Sequence, residues 1–412
     1  MFPIVRSALF VAAASAAGLA TAAAPDTIVW EGGHLLRVRE SGAAAGPGVG
    51  QALAALRREA DSALERGPYS VMDKDLTPPS GDKHDYMSFS RYWWPNPDTP
   101  NGLPYVRRDG VVNRELIARG DRNRIGALYD DLEALALAAY LLDAERYGPH
   151  AAELVRVWFL DPDTRMYPNL NFGQAVPGRS EGRGPGIIDT RHFVRVIDSV
   201  ALLRACDQIA DGETDQLKDW FRDYLGWLDT SAIGEHERNA DNNHGVWYDA
   251  QASAIALFVG RPQVAESIVR RVRDERLAAG VAADGRQPEE LERTKSLHYS
   301  LFALSAYAVA ARVGEHVGVD LWGHTAPGGG SLRGALDYAA PHLVDQSAWP
   351  HPRLGPFAVS DRQSQLFYLA ATRLQEPRYL ELLARAPTRY DGRHLAPLMF
   401  AAQASEASVE ED

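Results

Sequence analysis

The stretch Asn242-Asn243-His244-Gly245-Val246-Trp247-Tyr248-Asp249 runs directly into the apolar segment Ala250 to Val259. Asn is a favoured helix N-cap, and its carboxamide also tolerates left-handed backbone. The pattern therefore reads as a loop turning into a helix, with polar heads gathered at the positive end of the helix dipole. Such an end favours a bound anion or developing negative charge. A neutral His is the usual proton acceptor near neutrality. The plainer reading is a capping pair beside a packed imidazole. A second stretch, Glu290-Leu291-Glu292-Arg293-Thr294-Lys295-Ser296-Leu297-His298-Tyr299, sets two cations just ahead of a His-Tyr pair. Arg can clamp a carboxylate through two parallel hydrogen bonds. A Tyr beside such a cation is expected to give up its proton more readily than a free phenol. The plainer reading of Tyr299 is a core residue with a satisfied hydroxyl. Taken together, Asn243, His244, Arg293 and Tyr299 supply what β-elimination on a uronic acid requires.

Three further segments accompany these two. His84-Asp85-Tyr86-Met87-Ser88 leads into Tyr92-Trp93-Trp94-Pro95. Gly102-Leu103-Pro104-Tyr105 precedes Arg107-Arg108-Asp109-Gly110. Asn169-Leu170-Asn171-Phe172-Gly173-Gln174-Ala175 precedes Pro177-Gly178-Arg179. In order and spacing the five segments, spanning roughly residues 80 to 325, resemble the alginate lyase family of polysaccharide lyases. That resemblance implies an α/α-toroid fold and places Gln174 near the sugar. One departure is visible: the best-known members carry Ser-Tyr-Trp after Asn-Asn-His, whereas this chain has Gly245-Val246-Trp247. It resembles a branch distant from those members.

Elimination across C4–C5 of a uronate has three needs. The carboxylate beside C5 must be neutralised, a base must take the C5 proton, and an acid must protonate the departing C4 oxygen. Asn243 and Arg293 are expected at the carboxylate, and His244 and Tyr299 as the proton-transfer pair. In mannuronate and glucuronate the C5 proton and C4 oxygen share one face of the ring, so one Tyr can serve as base and acid. In guluronate they lie on opposite faces, which makes His244 the base and Tyr299 the acid. The expected substrate is mannuronate-type alginate first and glucuronan second. Gln174, Asn242, Arg179, Tyr92, Lys295 and His298 are the expected substrate-binding residues. Trp93 and Trp94 read rather as a hydrophobic plug, and Arg183 and Arg238 as solvated surface charges.

Helical periodicity dominates the chain. Candidates include Ile125 to Tyr147, Phe193 to Ile209, Leu217 to Leu228, His244 to Val259, Ser300 to Val313 and Gln363 to Leu374. Strand-type alternation is scarce. The expected fold is all-α, an incomplete (α/α) toroid of paired helices with long N-terminal and internal loops. Two stretches break the pattern, Tyr69 to Arg119 and Met166 to Gly186, and loops of that length are often functional. Residues 1–22 read as a secretory signal: Arg6, an apolar stretch from Ala8 to Leu19, then Ala20-Thr21-Ala22 as a small-residue cleavage site. Residues 23–405 read as a single domain and 406–412 as an acidic tail. No later stretch is long and apolar enough to span a bilayer, which predicts an exported protein, periplasmic or secreted.

The net charge of −12 argues against generic nucleic-acid binding. An acidic polysaccharide partner then demands a locally basic cleft on an acidic body. The lone Cys206 excludes an intrachain disulfide. No His or Cys spacing suggests a metal, and Asp161-Pro162-Asp163 reads as a turn. The elimination balances with protein groups alone, so no cofactor is expected. Two alternatives remain. One is a toroidal glycoside hydrolase using a pair among Asp189, Asp241, Asp249 and Glu290. The other is a noncatalytic periplasmic binder of acidic oligosaccharides.

Overall fold

The computed structural model describes residues 23–390 and 392–402. The expected signal segment and acidic tail lie outside those residues. Helices build most of the described chain. After a first helix at Gly32–Ser41, the principal ones are α1 (Val49–Ala63), α2 (Arg122–Leu141), α3 (Ala144–Val155), α4 (Phe193–Ala205), α5 (Asp211–Thr230), α6 (Ala232–Arg238), α7 (Asn243–Phe258), α8 (Pro262–Arg271), α9 (Ser296–Val317), α10 (Leu332–Ala339), α11 (Asp361–Arg373) and α12 (Arg378–Arg385).

Two kinds of helix alternate. In α2, α4, α7 and α9 most side chains are buried, polar ones included. A helix apolar around most of its circumference must be covered on all sides. The intervening α3, α5, α8, α10 and α12 bury one face and expose the other. Inner helices pack in the sequence α2, α4, α7, α9, α11, and each is backed by an outer partner. The turn Ala396–Met399 sits between α11 and α1, and α1 returns to α2. This is the α/α toroid, with its core between the two helical layers.

The N-terminal segment crosses the inner layer. Backbone N–H groups of Ile28, Val29 and Trp30 donate to the buried Asp198 carboxylate of α4 at 2.6, 3.0 and 2.8 Å. Arg312 of α9 donates from Nε to the Val29 carbonyl at 2.9 Å. Val29 and Trp30 then line the inner end of the central cleft.

The two irregular stretches pair with each other over the ring. Strand β1 (Met87–Phe89) runs parallel to β4 (Phe172–Ala175), and β2 (Trp93–Trp94) runs antiparallel to β3 (Val106–Arg107). The first pairing fastens one stretch to the other, and the second closes a turn within the first stretch. Asp161-Pro162-Asp163 is a turn, with Asp163 N–H donating to Asp161 Oδ1 at 2.9 Å. No helix among the described residues is long and apolar enough to cross a membrane.

Candidate active site

A cleft of about 1080 Å³ opens within the ring beneath the paired loops. Tyr92, Gln174, Asn242, Asn243, His244, Arg293, His298 and Tyr299 all line it, although they come from elements scattered along the chain. Two expected residues do not. Arg179 is exposed and donates from Nε to the Tyr105 carbonyl at 2.7 Å, with its guanidinium 5.1 Å from the Trp93 ring centroid. It therefore sits behind Trp93 rather than in the cleft. Lys295 is tied through its backbone to Arg353 and lies outside the lining.

Asn242 caps α7, its side chain accepting from His244 N–H at 3.0 Å. The next turn explains the glycine that departs from the family pattern. A Cβ on Gly245 would lie 2.1 Å from the Ala240 carbonyl oxygen and 2.8 Å from Arg276 Nη1. Arg276 itself donates to that carbonyl at 2.7 Å. The preceding loop folds so tightly onto the helix start that no side chain fits.

Carboxylates hold the motif residues in place, and one of them, Glu237, lies outside the motifs. His244 Nδ1 lies 2.6 Å from Oε1 of Glu237, which is 1% exposed. A carboxylate accepts only, so the tautomer that fits this contact carries its N–H on Nδ1 and leaves Nε2 as an acceptor. Asn243 donates its backbone N–H to Glu290 Oε1 at 2.6 Å and its side-chain amide to Oε2 at 2.8 Å. Arg293 donates from Nη2 to Asp109 at 3.2 Å and lies flat on Tyr299, 3.7 Å from the ring centroid. Its buried Nε has no partner. The guanidinium thus keeps an unengaged N–H that can meet an anion.

Tyr299 is 8% exposed, and its hydroxyl lies 3.0 Å from that of Tyr92. Here the sequence-based expectation needs correcting. Burial, reinforced by Tyr92, raises the Tyr299 hydroxyl well above the usual phenol range despite the stacked Arg293. Removing a phenol from water disfavours its anion more than one shared cation favours it. At rest Tyr299 is a proton donor.

Two more corrections concern cations and aromatics. Arg183 is not a solvated surface charge. It lines the cleft and donates to Ser90 Oγ at 2.7 Å and to the Gln174 carbonyl at 3.1 Å. Its glycine-rich loop permits this approach, since a Cβ on Gly186 would lie 2.5 Å from the Gly173 carbonyl carbon. Trp93 also faces the cleft, whereas Trp94 donates its indole N–H to the Val111 carbonyl at 3.0 Å. Arg238 does pair at the surface with Asp229, at 3.0 Å.

Gln174 has φ of 49°, a left-handed value uncommon for a side chain of this kind. Its N–H donates to Ser88 Oγ and its amide to Asp189, at 2.8 and 3.3 Å, which fixes it in that conformation. His298 stays neutral, since burial, with Arg91 and Lys295 nearby, lowers its imidazole to about 4. None of the four candidates for a hydrolase pair, Asp189, Asp241, Asp249 and Glu290, is among the residues lining the cleft.

The sequence pattern of the alginate lyase family matches residues 70–349. The chain belongs to this family. A solved alginate lyase from Bacteroides ovatus is 34% identical, covers 92% of this chain and 99% of its own, and superposes with a TM-score of 0.85. Alginate lyase A1-III carrying H192A, complexed with a tetrasaccharide, shares 14% identity over 86% of this chain and 94% of its own, with a TM-score of 0.52. At that identity the likeness concerns the fold. The same enzyme from Sphingomonas species A1, solved without that substitution, gives 14% identity over 85% and 95% and a TM-score of 0.47. No curated protein matches the chain. The chain is thus a polysaccharide lyase of the alginate lyase family, and the hydrolase and noncatalytic-binder alternatives are not favoured.

Proposed function

We propose that this alginate-lyase family member cleaves alginate by β-elimination, with His244 and Tyr299 moving the protons and Arg293 neutralising the reacting carboxylate. The observation that carries the reading is the geometry of the pair. Glu237 holds His244 Nδ1 and leaves Nε2 for the cleft, while Tyr299 is buried against Tyr92 and Arg293, a setting that favours its protonated form. The unengaged Nε–H of Arg293 donates to the uronate carboxylate, with Asn243 beside it. His244 takes the C5 proton, the C5–H electrons form the C4=C5 double bond, and the C4–O bond breaks. Tyr299 gives its proton to the departing oxygen. The products are a 4,5-unsaturated uronate and a new chain end.

This division of labour is complete at rest for guluronate linkages, where proton and leaving oxygen lie on opposite faces. Mannuronate and glucuronate linkages need an ionised phenol on the Tyr92–Tyr299 side, stabilised by the stacked Arg293. Sequence alone ranks polymannuronate first and glucuronan second; the resting site supports guluronate linkages at neutral pH and mannuronate linkages at higher pH. Export to the periplasm or medium rests on residues 1–22, and N-terminal sequencing of the protein recovered from its native host tests it.

The testing experiment follows ultraviolet absorbance of the unsaturated product on polyguluronate, polymannuronate and glucuronan across pH, in parallel with reducing-end release. Absorbance should rise on polyguluronate near neutrality and on polymannuronate with a more alkaline optimum. Reducing ends without absorbance would defeat the elimination mechanism. Identical pH profiles on both alginate blocks would defeat the assignment of separate bases.

A further inference from the structure

The helix that carries Tyr299 begins without a side-chain cap of its own. Lys295 stands at the N-cap of α9 and makes no capping bond. The first N–H groups of a helix have no partner inside it, and burying one unmet is costly. Ser296 opens α9 fully buried, and its N–H donates to the Pro352 carbonyl at 3.1 Å. Its hydroxyl donates to the same carbonyl at 2.6 Å and accepts from Trp349 Nε1 at 2.7 Å. Leu354 N–H donates to the Thr294 carbonyl at 2.7 Å, and Lys295 pairs with Arg353 through the backbone. A segment 53 to 56 residues further along the chain thus completes the start of α9.

That segment is itself held firmly. Gln346 closes it, accepting from Phe357 N–H at 3.0 Å and donating to the Phe357 carbonyl at 2.6 Å. The Trp349 indole is buried between the rings of His342 and His351, whose centroids each lie 5.0 Å away. Tyr338 of α10 packs on the same indole, and its hydroxyl meets His351 Nε2 at 2.7 Å. None of residues 338–357 is among those lining the cleft. Arg293 nevertheless lies three residues before Ser296, and Tyr299 three residues after it. The stack of guanidinium on phenol, at 3.7 Å, therefore depends on how this turn is held. We infer that Trp349 and Ser296 are positioning residues for the elimination: the indole N–H fixes the Ser296 hydroxyl, and Ser296 fixes the turn that sets Arg293 against Tyr299. The inference rests on the roles proposed above for Arg293 and Tyr299 and extends them to a segment outside the cleft. Small displacements matter here, since a misplacement of about 1 Å costs on the order of 100-fold in rate.

Steady-state rates of Trp349→Phe, Ser296→Ala and the double variant, on polymannuronate and polyguluronate across pH, test the inference. Trp349→Phe keeps a packed ring and both bonds from Ser296 to Pro352, so it removes one N–H and little else. Each single variant should lower kcat about 10-fold, a fraction of the loss for a full 1 Å misplacement, with KM changed less. The double variant should lose no more than the worse single one, because both remove the same hydrogen bond. Burial, Tyr92, Arg293 and Asp109 act on the Tyr299 hydroxyl. Loosening Arg293 removes the favourable charge, so the rising limb on polymannuronate should move to higher pH by about half a unit or more. The limb on polyguluronate, set by His244, should stay in place. Parent kcat in both single variants would overturn the inference. So would additive losses in the double variant, or a lower rate with the polymannuronate limb unmoved, which marks a purely structural role. Tyr299→Phe separates the two levels of the argument. If it keeps the parent rate, the roles proposed for the site fall and this inference falls with them. If it is inactive while Trp349→Phe and Ser296→Ala match the parent, this inference alone falls.

Discussion

At the scale of single residues, partners decide what each motif side chain can do. Tyr299→Phe keeps the ring packed under Arg293 and removes only the transferable proton. Absorbance assays should show activity down by about 100-fold or more, the usual weight of a general acid, with melting little changed. A rate close to the parent's would remove Tyr299 from the mechanism. Glu237→Gln is the sharper test. The Gln amide would donate to His244 Nδ1, so the imidazole would turn its N–H toward the cleft and lose its acceptor there. Cleavage of polyguluronate should drop by about 100-fold, and polymannuronate cleavage at alkaline pH should be affected less. Equal losses on both blocks would mean that Glu237 holds the site's shape rather than a tautomer.

At the scale of elements, the cleft depends on contacts that fasten loops and chain ends to the helical ring. Asp198 answers three N–H groups of residues 28–30 from α4. Asp198→Ala would leave three buried donors unmet, at about 1–3 kcal/mol each, so urea unfolding should register a loss of roughly 3 kcal/mol or more. A loss below about 1 kcal/mol would show that water replaces the carboxylate. The start of α7 is equally constrained. Gly245→Ser restores the residue of better-known family members, yet its Cβ would meet the Ala240 carbonyl. Overpacking of this kind costs about 1–3 kcal/mol, and the shift should reach His244. A Gly245→Ser protein of parent stability and rate would show that the Ala240 loop yields.

At the scale of the molecule, an acidic body encloses a cleft rich in guanidinium groups, and that field shapes stability as well as binding. His298 has an ordinary value of 6.5 and is lowered to about 4 in the fold, by burial first and then by Arg91 and Lys295. The folded state therefore favours the neutral ring. This contribution is fully present above pH 6.5 and is lost as pH falls toward 4. The shift corresponds to a difference on the order of 3 kcal/mol. Unfolding measured at intervals from pH 7 to pH 4 should show the parent losing stability relative to His298→Gln by that order. Parallel curves would show that His298 is solvated in the fold.

Helical class was legible in the sequence because burial on all sides leaves long apolar runs such as Ala250 to Val259 and Ser300 to Val313, whose period needs no knowledge of neighbours. The start of α7 was legible too, since capping is local: Asn242 bonds a group two residues away. Reactive residue types could be read from motif order, and Tyr92, Gln174, Asn243, His244, Arg293 and Tyr299 do meet in one cleft. The tertiary structure alone decided which carboxylates hold them and what state each is in. Asp109 reaches Arg293 across 184 residues, and Glu290 reaches Asn243 across 47. Glu237 is only seven residues from His244, yet α6 must turn back before the two can touch. The proton on Tyr299 was likewise undetermined by sequence, because it depends on how much water the assembled ring excludes. Arg191 was legible as one of the cations near the motifs, and Arg91 was not. That both lack an anionic partner among the described residues, while most arginines around them have one, is a tertiary fact.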